Sequence, residues 1–469
     1  MIDGWVILWT DALVFLLLVF SLVFAVYASR REHLRAPWRR VARSGVGMGT
    51  LVVLAFYLLV GLLDSIHFHP STIVTEGEKS QSAEVISLFD WMVTPLRVRQ
   101  EKTYSAPLAA RLYAKESMEL ADGRVVRDYP RLLFGGAHLQ DPDREWGRDI
   151  LRLSLFGILK GALVTLVLSN ILIALLAARA GADFACQARL ILTGKTPIPW
   201  RVVLVTLGVL VILIFWAAEL AANYHLLGTD KVGEDVFYQT LKSIRTGLLI
   251  GTLTTLVMLP AAILLGIMAG YFRGWVDDII QYTYTTLNSI PGVLLIAAAI
   301  LMLQIYMSNH AEEFNSLIER ADLRLLFLCI ILGVTSWTGL CRLLRGESLK
   351  LREVDYVQAA TAFGVRPLQI ISRHILPNVL HIVLITVVLD FSGLVLAEAV
   401  LSYVNIGVDP TMNSWGNMIN SARLEMAREP IVWWSLAAAM IFMFILVLSA
   451  NLFSDVVRDA FDPRLRDTR

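Results

Sequence analysis

Cysteine is close to absent from this chain. Its three copies, Cys186, Cys329 and Cys341, are too few and too dispersed to frame a fold with disulfides. All three fall in stretches assigned below to membrane or cytosol, so free thiols are expected. Charge is scarce as well: 17% of residues are charged and the formal net charge is +1, which gives nucleic acid no electrostatic reason to bind. An ATP-binding loop is missing. Gly194-Lys195-Thr196 has the letters of its end, but Arg189 stands five residues earlier, where a glycine is needed for the backbone to wrap a phosphate. H-E-x-x-H and G-x-S-x-G are missing too, so a membrane-embedded hydrolase, one alternative function, lacks a nucleophile or metal constellation. His67 and His69 supply only two ligands, at the edge of a span. An ion-coupled secondary transporter, another alternative, needs several acids or histidines within the membrane, and Asp390 with His381 is thin support.

Apolar residues are abundant instead. They make up 56% of the chain, and the mean hydropathy is +0.63, values of an all-α polytopic membrane protein surrounded by lipid bilayer. Nine apolar runs, at 13–27, 45–63, 150–178, 202–222, 248–271, 290–306, 325–341, 378–400 and 431–453, approach or exceed the roughly 20 residues a helix needs to cross. The first reaches that length with residues 5–9. It is followed by a basic cluster without a small-residue cleavage site, so it is a retained span and not a signal peptide.

Loop charges orient these spans. Six arginines from Arg30 to Arg43 face one acid, Glu32; Arg179, Arg189, Lys195 and Arg201 face Asp183; Arg342, Arg345, Lys350 and Arg352 follow the seventh run. The positive-inside rule puts these loops in the cytoplasm, and the acidic loop with Glu312, Glu313, Glu319 and Asp322 outside. The N-terminus is therefore expected outside and the C-terminus in the cytoplasm. Residues from roughly 65 to 149 form a polar external segment, with helical parts such as 106–120 expected. In the fifth run Gly266, Gly270 and Gly274 recur every four residues, a spacing that permits close helix approach in lipid, and Pro260 interrupts the middle.

The polar stretch 352–377 lies between the seventh and eighth runs. Asp355 is placed to cap a short helix by accepting the N–H three residues on, and Gln358 to reach back and complete a capping box. Val357, Ala359, Ala360 and Phe363 give the helix a small apolar side. Gly364 is suited to the left-handed turn that ends it, so its φ is expected to be positive, with Pro367 in the first turn of a second helix.

This loop resembles the EAA signature of ABC-importer permeases, with Gln358 as its first letter, then Ala359, Ala360, Gly364 and the closing Ile375-Leu376-Pro377. Further elements carry the resemblance to the dipeptide, oligopeptide and nickel permeases. Gly228-Thr229-Asp230, Gly233 and Asp235 are similar to an external GTD-x-x-GRD element, with Glu234 where that family usually has arginine. Trp337, Arg342 and Arg345 match the approach to the loop. Leu401-Ser402-Tyr403, Gly407, Pro410 and Ser414-Trp415-Gly416-Asn417 match an external segment. Arg458-Asp459-Ala460 and Asp462-Pro463-Arg464-Leu465 match the terminus. Together they cover about the last 245 residues of the sequence.

The resemblance implies a type I ABC-importer permease core with extra N-terminal transmembrane helices, in a bacterial inner membrane. It implies a transport subunit and not an enzyme, binding no cofactor or metal itself, with ATP and Mg held by partner ATPase subunits. A second homologous permease, forming a heterodimer, and an extracytoplasmic solute-binding protein complete the partners. The ATPase-coupling residues implied are Asp355, Tyr356, Gln358, Ala359, Ala360, Gly364 and Pro377. Asp390, an acid well inside the eighth run, is placed either on the translocation path or against a neighbouring helix. Di- or oligopeptides are the implied substrates, with nickel chelates or antibiotic peptides as alternatives. Residues 1–200 form an extension with about three spans, and 201–469 the core with about six spans and the coupling loop at roughly 342–377. Because the family-like motifs begin after residue 224, a chain starting near Pro199 is expected to assemble without the extension.

Overall fold

The computed structural model describes residues 2–30, 32–70, 85–119, 125–310 and 316–461. Glu312, Glu313 and the 462–465 motif lie outside the described residues. The chain opens with β1 (Ile2–Val6), α1 (Trp9–Ser29), α2 (Glu32–Arg43) and α3 (Gly45–Asp64). The polar segment follows as β2 (His67–Pro70), β3 (Ile86–Ser87), α4 (Leu88–Met92), α5 (Thr94–Val98), β4 (Glu116–Glu119) and β5 (Val125–Asp128). Next come α6 (Pro142–Ala180), α7 (Phe184–Leu192), α8 (Trp200–Ala221), α9 (Val236–Phe272), α10 (Trp275–Ser289), α11 (Gly292–Asn309) and α12 (Leu317–Arg352). The last part holds α13 (Asp355–Ala362), α14 (Pro367–Ile370), a π-helical turn (Ile371–Ile375), α15 (Leu376–Tyr403), α16 (Trp415–Glu425) and α17 (Trp434–Phe461).

Among the described residues, nine helical stretches are long and apolar enough to cross a membrane: α1, α3, α6, α8, α9, α11, α12, α17 and the run Pro367–Tyr403. They coincide with the nine apolar runs. Several extend well past them, α9 back to Val236 and α12 on to Arg352, because a hydropathy pattern sees the lipid-depth part of a helix and not its polar ends. Asp141 and Ser316 mark two of these starts, each accepting a backbone N–H of the first turn.

Two expectations are corrected. Residues 5–9 do not lengthen the first span: β1 pairs antiparallel with β2, Trp5 opposite Phe68, and α1 begins at Trp9. Its 21 residues span about 31 Å unaided. Residues 106–119 of the expected 106–120 helix are not helical, and 120 lies outside the described residues. Pro107 and a positive φ of 59° at Leu108 stop a helix there, and the segment forms isolated bridges (Ser105 to Leu112, Arg111 to Arg131) and the β4–β5 hairpin.

The chain divides into two compact units. One comprises Met1–Val6, Trp38–Thr246 and Asn413–Val456; the other comprises Ile7–Pro37, Gly247–Met412 and Val457–Arg469. In the first unit α6 packs on α8 through glycines. A Cβ on Gly157 would come within 2.9 Å of the Trp216 Cα, and one on Gly161 within 2.7 Å of the Ile212 Cα. Such small residues let helix backbones touch in lipid, where no hydrophobic effect drives them together. Lys160 and Glu219 add an ion pair of 2.7 Å between the same helices.

In the second unit Gly266 and Gly270 bring α9 against α12: their Cβ positions lie 2.8 Å from the Cys341 carbonyl oxygen and 2.6 Å from that of Arg345. Gly274 does not continue the stripe. It adopts φ +58° as the residue before α10 and meets no neighbour within 4 Å. Met258, Ala262, Ile267, Leu340 and Leu344 form a core that runs on to Val357, Ile370, Ile375 and Val379. The first turn of α1 joins this unit through Asp322, whose carboxylate accepts the backbone N–H of Thr10 at 3.1 Å and its hydroxyl.

Candidate functional site

The loop after α12 is built around a short helix with a firm end and a plain start. Val357 and Gln358 donate their amides to the Val354 carbonyl, so the helix begins one residue earlier than a cap at Asp355 would allow. The capping-box expectation is therefore corrected: Val354 is the N-cap, no side chain caps the helix, and Asp355 is its first residue. A carboxylate there still interacts favourably with the helix dipole. Gln358 instead donates to the Glu353 carbonyl at 3.2 Å, tying α13 to the end of α12.

At the other end Gly364 has φ +74°, and the two reversed bonds, Gly364 N–H to Thr361 and Val365 N–H to Ala360, form a Schellman ending. Pro367 starts α14 as its first residue. From there the helix passes through the π turn into α15 without a break, so Ile375-Leu376-Pro377 lies inside one helical run.

The loop has two different faces. Val357, Ile370, Ile375 and Val379 are fully buried, whereas Phe363 is 87% and Leu368 77% exposed. Phe363 does not share the side of Val357 as expected, since six residues rotate a helix about 240°. Ala360 is half-buried, Ala359 exposed, and Pro377 exposed at the start of α15. The Tyr356 hydroxyl accepts from Asn378, which also donates to the His374 carbonyl, linking α13 to the foot of α15.

Upstream, Arg345 grips Asp277 of α10 with two bonds of 2.6 and 2.7 Å, which hold that carboxyl below its ordinary range. Arg342 lies 6.0 Å from the Tyr284 ring, and Trp337 is buried in the same helix. Sequence reasoning missed α10; its signal was the run of polar residues with apolar ones at helical spacing. Asp390 is half-buried on α15 and makes no hydrogen bond or ion pair among the described residues. Before α17, Ser414 caps α16 by accepting from Asn417 N–H, Gly416 is buried, and buried Trp415 donates to the Thr240 carbonyl.

The Gly228–Asp235 turn, in the first unit, is far more enclosed than this loop. Asp230 accepts the amides of Val232 and Glu234, and Asp235 accepts those of Phe237 and Tyr238, starting α9. Thr229 accepts from the Ser105 amide, donates to the Thr103 carbonyl, and receives the Trp434 indole N–H on its own carbonyl. Glu234 has no arginine's role to play: the Gln239 amide donates to it at 2.9 Å and to Asp230 at 3.0 Å, bridging two carboxylates.

Two buried charge clusters hold this turn and α9 to the polar segment between α3 and α6. His225 donates to Asp235 at 2.8 Å and faces Glu101 at 3.4 Å. Burial alone would lower its pKa, but Asp235 and Glu101 raise it to about 9. Glu101 receives the amides of Leu133, Phe134 and Gly135; burial pushes its pKa up, and His225 with those amides brings it below the ordinary value. Asp90 accepts from Lys242 at 2.6 Å and from the Tyr238 hydroxyl, and these outweigh burial to depress its pKa. Asp64 lies 3.9 Å from the same ammonium. None of these pairs has a local sequence signal.

The sequence profile described as "Binding-protein-dependent transport system inner membrane component" matches residues 262–467, which include the whole loop and α16. A glutathione transport system permease protein, GsiD of Pectobacterium atrosepticum, is 30% identical over 300 residues, covering 57% of this chain and 92% of the relative. The oligopeptide transport system permease protein OppC of Haemophilus influenzae is 30% identical over 250 residues, covering 53% and 74%. The dipeptide transport system permease protein DppC of Bacillus subtilis is 28% identical over 242 residues, covering 52% and 69%. The chain belongs to the permease subunits of binding-protein-dependent ABC importers. As such a permease it is a multi-pass inner-membrane protein of the peptide-transporter family. Its turn at 228–235 and its extension lie ahead of the matched profile.

Proposed function

We propose that this permease imports di- or oligopeptides, driven by separate ATPase subunits that grip α13 and the following turn. The observation that carries the coupling reading is the loop's division into two faces. A buried spine of Val357, Ile370, Ile375 and Val379 joins it to α15, while Phe363 and Leu368 stand exposed beside the Gly364 turn. An exposed aromatic on a short helix is the anchor that a groove in a partner recognises. Asp355, Tyr356, Gln358, Ala359, Ala360, Gly364 and Pro377 frame that surface. ATP and Mg are bound by the ATPase, a second homologous permease completes the channel, and an external solute-binding protein delivers cargo to the side bearing Gly228, Thr229, Asp230, Gly233, Asp235, Ser414, Trp415 and Gly416. Asp390 offers a carboxylate to a substrate amino terminus on the path. Residues 201–469 act as the transport core and the first 200 as its extension.

Phe363→Asp tests the coupling. Because the side chain is exposed, the variant should insert normally and lose co-purification with the ATPase and substrate-stimulated ATP hydrolysis. Undiminished association would refute the docking role. The run of arginines at 30–43 supports an external N-terminus. An impermeant thiol reagent should label Asp3→Cys on intact cells, and labelling only after permeabilisation reverses the orientation.

A further inference from the structure

Glu101 belongs to the extension, yet it sits at the centre of the turn that opens the family-like region. Its backbone N–H donates to the Gly233 carbonyl at 2.9 Å. Its carboxylate collects three successive amides, Leu133 at 2.9, Phe134 at 2.8 and Gly135 at 3.2 Å. The same carboxylate faces His225, which bonds Asp235, which in turn caps α9 through the amides of Phe237 and Tyr238. Glu101, His225 and Asp235 are all buried. A chain of contacts thus runs from the 133–135 backbone through two carboxylates and an imidazole into the first turn of a membrane-spanning helix.

We infer that Glu101 is a positioning residue for transport: acting through His225, it orients Asp235 and the Gly228–Asp235 turn, so that the extension sets the outer start of α9. The inference adds a role for the extension to the peptide-import reading and rests on that reading only for its transport readout. The charge logic is specific. A buried imidazolium between two carboxylates is stable while both are ionised, and removing one leaves the other to carry the pair. The other polar groups near His225 are engaged elsewhere: Arg99 donates to the Ala221 and Ala222 carbonyls, and the Tyr224 hydroxyl to Asp149, which also bonds His138. His225 is charged in the folded chain up to a pH of about 9, against 6.5 for the free side chain. The contribution of the latch to folding stability is therefore full below the lower value and lost as pH rises through the upper one, where the imidazolium of the folded chain itself discharges.

The test uses the full-length permease assembled with its partners in proteoliposomes. Hydrogen exchange of the 228–238 amides, corrected for intrinsic rates, and ATP-driven uptake of a mixture of di- to pentapeptides are followed from pH 6 to 10. In the wild type both should hold until pH approaches about 9. Glu101→Gln should raise exchange about tenfold or more, because the variant removes a buried carboxylate charge that faces His225 at 3.4 Å and receives three backbone amides. It should also move the alkaline fall in uptake down by roughly one to three units. His225→Gln should abolish that fall, and adding Glu101→Gln to it should shift nothing further. Unchanged exchange or an unmoved limb in Glu101→Gln overturns the inference. If that variant does not accumulate, a limb that persists in His225→Gln overturns it alone. Absence of ATP-driven uptake by the wild type at every pH counts against the peptide reading and leaves the exchange data to decide the latch.

Discussion

The turn at Gly233 and the turn at Gly364 look alike on paper and behave as opposites. Both glycines hold a left-handed backbone, φ +81° and +74°. At Gly233 a Cβ would collide with the carbonyl of Glu101; at Gly364 nothing lies within 4 Å. The first glycine is there because two backbones touch, the second because a helix must end while its surface stays open. A positive φ alone therefore says that glycine is needed, and only the surroundings say whether a substitution costs the fold or a partner.

Truncation should expose this contrast most strongly. The sequence suggested that a chain starting near Pro199 would assemble, but the contacts argue for the reverse. Such a chain loses Glu101, one of the two carboxylates beside His225, loses Asp90 and Asp64, both carboxylates beside Lys242, and loses α6 from the glycine-lined face of α8. His225 keeps Asp235, but Lys242 is left without a carboxylate, which costs at most the lower end of the roughly 3–5 kcal/mol for breaking a buried pair, because its side chain is 24% exposed. The truncated chain should fail to accumulate in a folded form, read by detergent-resistant yield and thermal melting; a normal yield would mark the extension as an independent module.

Gly233→Ala should come next. Left-handed strain of about 1–2 kcal/mol adds to an overpacking cost of about 1–3 kcal/mol. A lower melting temperature with faster proteolysis near 101 and 233 is the expected readout, and wild-type stability would show that the two strands can part cheaply. Gly364→Val should have the smallest effect on stability, about 1–2 kcal/mol of backbone strain. It should leave insertion intact and weaken ATPase association, since its side chain enters the surface beside Phe363. Full association with coupled transport would make the loop a plain connector.

Much of the architecture was legible because it is local. Nine apolar runs met, among the described residues, nine helical stretches long and apolar enough to cross a membrane, and Gly364 and Pro367 gave a helix end and a helix start where expected. The Asp355 cap failed on a one-residue competition: Val354 reached the first amides before Asp355 could. The 106–120 segment failed because its form is decided by distant strands and bridges, such as Arg111 with Arg131. Gly157 and Gly161 carried the spacing already noticed at Gly266 and Gly270, yet their partner helix could not be read from the pattern. The Glu101–His225 and Asp90–Lys242 pairs join residues more than a hundred positions apart, where no periodicity reaches.

The unbroken helix from Pro367 to Tyr403 makes the loop's foot and the membrane span a single lever. Its 37 residues extend about 55 Å, and Asp390 lies roughly two-thirds of the way along. Within this run the π turn at Ile371–Ile375 widens the hydrogen-bond spacing by one residue, next to Pro377, which cannot donate a helix bond. If a partner drives the loop as proposed, this junction is where rotation at the foot would be taken up before it reached the carboxylate.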